Sequence, residues 1–537
     1  FVPDYIIESH VSYNAEKPQN DDLISQVVNM LVKYSDFSLP CENGIIIEPE
    51  MDISTFEFDN VDMAIRIGYE TGLKYIDSIL PHINRQRDSL DFAKRRQEFK
   101  KKVGALSIDN IEIDGPEKSA LFVRRSLMYR TRGEGLDFKD FEKRYYRLAA
   151  TDQINFLFPV VEKNKNGGLD MRLTTRESNA FFVEVGGHVS SRPVNTGFIG
   201  LTYKHLGKTA IKVHGESYFG KFYSSARTDI KLEFPSVFPL TLEPYFNINQ
   251  WDYFKSFATF FEENRPSFLV QSERYVGFKM YHPVSTNMKS TYDARYFSNL
   301  DRYYQTDQFT TSDTADVTSF IGTAFSYELE QNSLNKKQFA NSGHYFSLKG
   351  TFIQATEESI SGSTAAVPYD NIKLHQWINF RFEGQTFLIN KPAFHFGIQG
   401  KATLNSQSLF SNYTATILNL PSFNLVPDAM TFFLPEYRSP VFFGGGPNTI
   451  FTVRKNIDIR LDAFYFQPLV QLKEFNDGSF GYSDPFEGQT LMASGSVIWH
   501  SIVGPVRFTA NYFPKQVNPV SLQFSFGYVL FNDRAVR

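Results

Sequence analysis

The stretch Val520-Ser-Leu-Gln-Phe-Ser-Phe-Gly-Tyr-Val-Leu-Phe531 decides the fold. Val520, Leu522, Phe524, Phe526, Tyr528 and Leu530 fall on one face of an extended chain, and Ser521, Gln523, Ser525, Gly527 and Val529 on the other. Phe531 is expected to close the strand. Side chains of a strand alternate with period two, so this one is greasy on one side and small or polar on the other. Similar segments recur over the preceding 350 or so positions, as in 226–234, 372–382, 394–402, 457–463 and 506–512. The polar face of 226–234 carries Arg227, Asp229, Lys231 and Glu233; that of 372–382 carries Lys373, His375, Trp377, Asn379 and Arg381. A soluble sandwich also alternates. A fully charged inner face, on strands long enough to cross a bilayer obliquely and with Phe and Tyr crowding their ends, instead predicts a transmembrane barrel.

Composition agrees with that reading. Aromatics make up 16% of the 537 residues, with 54 Phe and 28 Tyr. Mean hydropathy is -0.30, which averaging would class as soluble, but inward polar residues cancel outward apolar ones in a barrel. No run of about 18 apolar residues offers a spanning helix. A net charge of -4 does not suggest a nucleic-acid partner. The single cysteine, Cys41, has no intrachain partner. The ten His lack ligand spacing, so neither a metal nor another cofactor is expected. His214, His375 and His395 lie within strands and are expected to be wetted by the bore.

Upstream, residues 1–80 have an α/β pattern. Tyr5-Ile-Ile and Gly44-Ile-Ile-Ile-Glu-Pro read as short buried strands. Asp21 and Asp22 cap an apolar helix through Leu31, and Val61 to Ile79 reads as another helix. Two strands cannot complete a doubly wound sheet, so the remainder is expected ahead of Phe1; the missing signal segment likewise suggests a processed chain or a fragment. Pro3-Asp-Tyr-Ile-Ile, Leu39-Pro-Cys-Glu-Asn-Gly-Ile-Ile-Ile-Glu-Pro and Ile67-Gly-Tyr-Glu resemble the C-terminal end of patatin-like phospholipase domains. That resemblance implies a Ser–Asp dyad, yet neither a Gly-x-Ser-x-Gly elbow nor an Asp-Gly-Gly or Asp-Gly-Ala motif is present. Asp114-Gly115 and Asp477-Gly478 read as turns, and Ser494-Gly-Ser496 lies inside a strand. No catalytic residue is assigned within the chain.

Residues 81–102 carry Lys94, Arg95, Arg96, Lys100, Lys101 and Lys102, either a solvated linker helix or a contact for anionic headgroups. Residues 103–175 follow the order β-α-α-β-β, with Asn166-Gly167-Gly168 as a hairpin turn. The opening Ile-x-Ile-x-Gly and the Tyr146-Arg147-Leu-Ala-Ala-Thr helix exit resemble a POTRA domain. The resemblance implies strand addition at an exposed edge; a rigid spacer fits equally well.

Residues 176–537 then hold sixteen expected strands, near 180–190, 197–206, 208–222, 225–234, 240–253, 267–281, 284–298, 318–331, 343–356, 371–384, 393–404, 441–452, 456–467, 490–500, 504–513 and 519–531. An even count returns both barrel termini to one side. The long interruption at ~405–440 contains Leu434-Pro-Glu-Tyr-Arg-Ser-Pro. With the preceding module, it makes the chain resemble the BamA-like outer-membrane superfamily. There the loop at this position folds into the bore, and an Arg at its tip pairs with an acid on the thirteenth strand. Carried over, this implies a bridge from Arg438, in Tyr437-Arg438-Ser439, to Asp462; the alternative leaves Arg438 solvated. Gly527 and Phe531 match that family's C-terminal insertion signal, read by assembly machinery through strand pairing.

The resemblances together imply a mainly β protein. It is a 16-stranded antiparallel transmembrane barrel preceded by one POTRA domain and an α/β fragment. It would lie in the bacterial outer membrane with its N-terminal domains in the periplasm. The implied activity is that of a Bacteroidetes-type patatin-like lipase or phospholipase, a hydrolase of lipid metabolism acting on a lipid substrate. The rival reading is a non-enzymatic assembly or translocation factor, or a subunit of a larger outer-membrane complex. A passive porin fits poorly with an occupied bore.

Overall fold

The computed structural model describes residues 5–11, 30, 36–39, 43–51, 60–83, 88–102, 107–128, 136–151, 153–165, 168–235, 239–254, 267–285, 287–306, 308–310, 312–365, 368–475 and 479–536. The chain divides into two compact units, residues 1–104 and 105–537.

In the first unit β1 (Ile6–Ser9) pairs in parallel with β2 (Gly44–Ile47), Ile6 facing Gly44. These strands are half-buried at most, and Ile7 is exposed, against the expectation of buried strands. Helix α1 (Val61–Lys74) and the short α2 (Ile76–Ile79) replace the single helix expected there. The helix expected from Asp21 to Leu31 lies outside the described residues, Met30 apart, as does Cys41. The basic run forms α3 (Ser89–Lys101); Asp88 caps it by accepting from the Leu90 amide at 3.3 Å.

The second unit opens with a small α/β module. Its strands are β3 (Ser107–Asp114), β4 (Leu136–Asp137), β5 (Ile154–Lys163) and β6 (Leu169–Glu177). They order as β4-β3-β6-β5, with β3 parallel to β6. Helices α4 (Glu117–Met128) and α5 (Phe138–Ala149) bury Phe122, Val123, Leu127, Phe141 and Leu148 against Ile108, Ile111, Met171 and Leu173. At Gly115 φ is +153°, and a Cβ there would meet Thr175 Oγ1 at 2.3 Å, so the turn out of β3 requires glycine. Asn166 and Gly167 of the expected hairpin turn are outside the described residues.

A closed antiparallel barrel of sixteen strands follows. The first eleven are β7 (Phe181–Ser190), β8 (Thr196–Leu206), β9 (Ala210–Phe219), β10 (Tyr223–Phe234), β11 (Leu240–Phe254), β12 (Ser267–Pro283), β13 (Met288–Tyr303), β14 (Asp316–Asn332), β15 (His344–Ile360), β16 (Asp370–Lys391) and β17 (Phe394–Asn405). After a long loop come β18 (Val441–Arg454) and β19 (Ile457–Pro468). The next loop holds a short hairpin that the sequence did not announce, β20 (Leu472–Glu474) with β21 (Phe480–Tyr482); Asp477-Gly478 lies outside the described residues. The barrel resumes with β22 (Thr490–Ser501), β23 (Gly504–Tyr512) and β24 (Val520–Gly527), which closes on β7.

The alternation drives this closure. On β24, Val520, Leu522 and Phe524 stay more than half exposed while Gln523 and Ser525 are 1% exposed. On the far wall Phe325, Phe352 and Phe380 likewise point outward. Apolar side chains that remain exposed in register around a closed sheet form a belt suited to hydrocarbon. No helix among the described residues is long and apolar enough to cross a membrane.

Candidate functional site

The barrel's inner face and its closing seam carry the chemistry. The walls supply charge ladders, made by placing opposite signs two residues apart or across a rung. Arg227 reaches Asp229 at 3.2 Å and Glu243 at 2.6 Å, and Tyr281 donates to Glu243 at 2.8 Å. Arg295 pairs with Asp293, and Lys401 lies 2.9 Å from Glu383. Buried ions need such partners, because an unpaired charge away from bulk water is costly.

The loop 406–440 enters the bore from the mouth opposite the small module. Its helix α6 (Tyr413–Asn419) is buried from Ala415 to Asn419, and Asn412 caps it by accepting from the Ala415 amide at 2.7 Å. Asn412 also donates to Tyr303 on the wall and to Tyr369 in the β15–β16 connection, each at 2.6 Å. His375 is 2% exposed rather than wet. It stacks on Phe410 of the loop at 4.3 Å and contacts Glu357 and Ser408, both at 2.7 Å.

The structure does not bring Arg438 and Asp462 together. Arg438 is buried, but Nη1 donates to the carbonyl oxygens of Ile417, Leu418 and Leu420 at 3.1–3.3 Å. It therefore braces α6 from within the loop. Asp462 instead accepts from Arg460 Nε at 2.8 Å and from Asn448 at 2.7 Å. Arg460, two residues along the same face, and Asn448 on the neighbouring strand engage the acid on the wall itself. The wall-to-loop ion pair has the opposite polarity. Asp428 on the loop receives two bonds from Arg507 of β23, Nη2 to Oδ1 at 2.9 Å and Nη1 to Oδ2 at 3.2 Å, with both side chains 1% exposed. Planar two-point pairing of this kind fixes orientation as well as distance. Sequence reasoning missed it, although Arg507 is the one cation on an inner face otherwise made of Pro505, Thr509 and Asn511.

Gly527 and Phe531 also part company. The β24 ladder ends at Gly527, where φ is +94° and a Cβ would meet Gly187 O at 2.0 Å. Phe531 does not close the strand. It lies inside, edge-on to Tyr223 at 4.8 Å, and the residues after it continue into the bore. The seam is correspondingly short: only Ser525, Phe526 and Gly527 pair with Ser190, Val189 and His188. Two further bonds extend it: the Ser191 amide donates to Phe524 O at 2.9 Å, and the Phe524 amide donates to Ser191 Oγ at 3.1 Å. On the opposite wall β15 and β16 stay in register from His344–Thr386 to Ile360–Asp370.

The module stands at the other mouth. Phe122, Arg144 and Leu148 share a pocket with Lys231, Pro235 and Pro239 at the β10–β11 turn. Burial and the neighbouring Arg144 lower the pKa of Arg147 there. Asp109 at the module's edge accepts from Asn164 at 2.8 Å and Ser107 at 2.9 Å; those bonds, Asn164's first, hold its carboxyl below the usual range. Among the described residues no group of His, Cys, Asp and Glu could hold a metal ion.

No family model matches the chain, and no curated protein does. Solved structures do. BamA from Haemophilus ducreyi, in a form lacking POTRA domains 1–3, superposes with a TM-score of 0.52 at 12% identity, covering 78% of this chain and 84% of that one. CdiB from Acinetobacter baumannii gives 0.46 at 11% identity over 79% and 74%, and CdiB from Escherichia coli 0.47 at 10% over 79% and 76%. The chain thus has a sixteen-stranded barrel fold similar to that of BamA.

Proposed function

We propose that this chain is a bacterial outer-membrane barrel that assembles or translocates other polypeptides through its seam. The seam carries the reading. From Phe181 to Gly187, β7 has no strand partner on its β24 side among the described residues, and Val185 there is 78% exposed. A strand edge with free amides and carbonyls is a template for an extended chain. The plugged bore argues against passive diffusion as the main task. The module at 107–177 then serves as a POTRA-like periplasmic receiver, and lipid, assembly machinery and further outer-membrane subunits are its surroundings. A photo-crosslinking residue at Val185 in living cells tests this. Adducts with outer-membrane or secreted chains are expected there and not from Phe352 on the far wall. Equal yields at the two positions, or none at either, would remove the proposal.

A second reading, the barrel as anchor of a Bacteroidetes-type patatin-like lipase, draws on one observation. β1 and β2 pair in parallel, which demands a crossover connection and is the habit of α/β domains. The Ser–Asp dyad would then belong to residues outside this sequence. Labelling of the cell-derived polypeptide by a fluorophosphonate probe supports an active lipase; an unlabelled polypeptide whose N-terminus, by mass spectrometry, is Phe1 rules it out.

A further inference from the structure

Beyond Phe531 the chain does not trail away. The Asn532 amide donates to Tyr223 at 2.8 Å and its side chain to Ser225 at 2.9 Å, both on β10. The carbonyl of Asp533 accepts from Asn249 on β11 at 2.8 Å and from Tyr275 on β12. Its carboxylate lies 3.4 Å from Lys279. Arg534 reaches Gln271 at 2.9 Å and Glu273 at 3.3 Å, with its guanidinium 3.6 Å from the centre of the Trp251 ring. The Ala535 amide donates to Glu273 at 2.9 Å, and Arg295 on β13 donates to the carbonyls of both Arg534 and Ala535. Gln338, in the β14–β15 turn, holds Val529 O on the way in.

The order of strands gives these bonds a consequence. Around the barrel β24 is followed by β7, β8, β9 and only then β10. The tail is covalently continuous with one lip of the seam and fastened to strands three and more places beyond the other lip. We propose that the inner faces of β10–β13 form a peptide-binding groove, that residues 531–536 are its resident ligand, and that this docking keeps the seam closed. The ligand class is a short extended segment carrying an acidic residue followed by a cation, recognised by Lys279 on one side and by Gln271, Glu273 and the Trp251 face on the other. Backbone acceptors are met by Asn249, Tyr275 and Arg295, so the groove reads main chain as well as charge. A tether of this kind works by effective concentration: it holds the lips together without adding a single rung between them.

The inference rests on the seam reading above, but its test needs no substrate. In the full chain with Cys41→Ser, Val189→Cys and Phe526→Cys face each other across the seam, and the rate of disulfide formation in native membranes reads closure. Ending the chain after Phe531 is expected to slow that rate by about tenfold. The truncated barrel is also expected to bind a labelled synthetic peptide of residues 528–536 in detergent, without the peptide restoring the fast rate. Should truncation prevent assembly, Asp533→Lys in the full chain replaces it, and adding Lys279→Glu is expected to recover the rate. Disulfide formation unchanged by either alteration, or no peptide binding to a truncated barrel that has assembled, would overturn the proposal.

Discussion

The seam and the wall opposite it are built from the same alternating sequence and hold together by different means. β12, β14 and β15 each run 17 residues and β16 runs 22, whereas β7 has 10, β23 has 9 and β24 has 8. The wall is closed by its ladders. The thin side gains its bonds from what lies behind it: the loop through Asp428 to Arg507, and the tail through its groove. Local pairing is enough where strands are long, and long-range side-chain contacts substitute where they are short.

The sharpest way to break that contrast is at the loop's clamp, one strand from the seam. Arg507→Met leaves the Asp428 carboxylate buried and unpaired, and breaking such a pair costs about 3–5 kcal/mol. We expect the folded barrel to lose its resistance to unfolding in warm SDS, read as heat-modified mobility on gels, while Arg507→Met with Asp428→Leu regains most of it. If the single variant migrates like the parent at all temperatures, the loop does not brace the thin side.

A charge on the lipid face probes the other term of the comparison. Phe352 sits at the middle of β15 and faces out. Phe352→Arg there should cost about 2–4 kcal/mol, as expected at a bilayer midplane. The same change at Phe524 should cost about 1 kcal/mol or less, because on an eight-residue strand every side chain is close to a mouth. Denaturant unfolding in lipid vesicles measures both; equal costs would mean that the bilayer has one thickness around the whole barrel.

Arg438 separates bracing within the loop from bracing of the loop to the wall. Its three carbonyl bonds are internal to the loop. Arg438→Met should therefore cost about 1–3 kcal/mol through those unsatisfied carbonyls, and Asp462→Asn should leave the loop's protection from proteases unchanged. Matching losses in the two variants would restore the bridge that the family resemblance implied.

Much of this architecture was legible. Every barrel strand falls near its expected place because a charged inner face and an apolar outer face leave few registers open. The loop was legible as an interruption and its polarity was not. Nothing local to Asp428 announces a partner 79 positions later, and the Arg438–Asp462 pairing came from resemblance, not from these residues. The tail was misread for a traceable reason. Phe531 is out of phase with the even-numbered apolar face of β24, and Gly527 ends the ladder at a positive φ, yet residues 528–531 were read as a continuation of the strand. A glycine followed by an aromatic of the wrong parity is the signal of a chain leaving the sheet.

The smallest expected effect lies in the module, away from both sides of the barrel, and it serves as the control. Asp109 is held as a carboxylate by Asn164 and Ser107, with a folded pKa below its ordinary value. Its contribution is therefore present above the unfolded carboxylate range and is lost as pH falls through the lower folded value. Hydrogen exchange at β5 and β6 should quicken on acidification below about pH 4, and Asp109→Asn should flatten that dependence while leaving the Val189–Phe526 disulfide rate untouched. A change in the disulfide rate in that variant would mean that the module and the seam are coupled, and that the thin side of the barrel answers to what docks at its mouth.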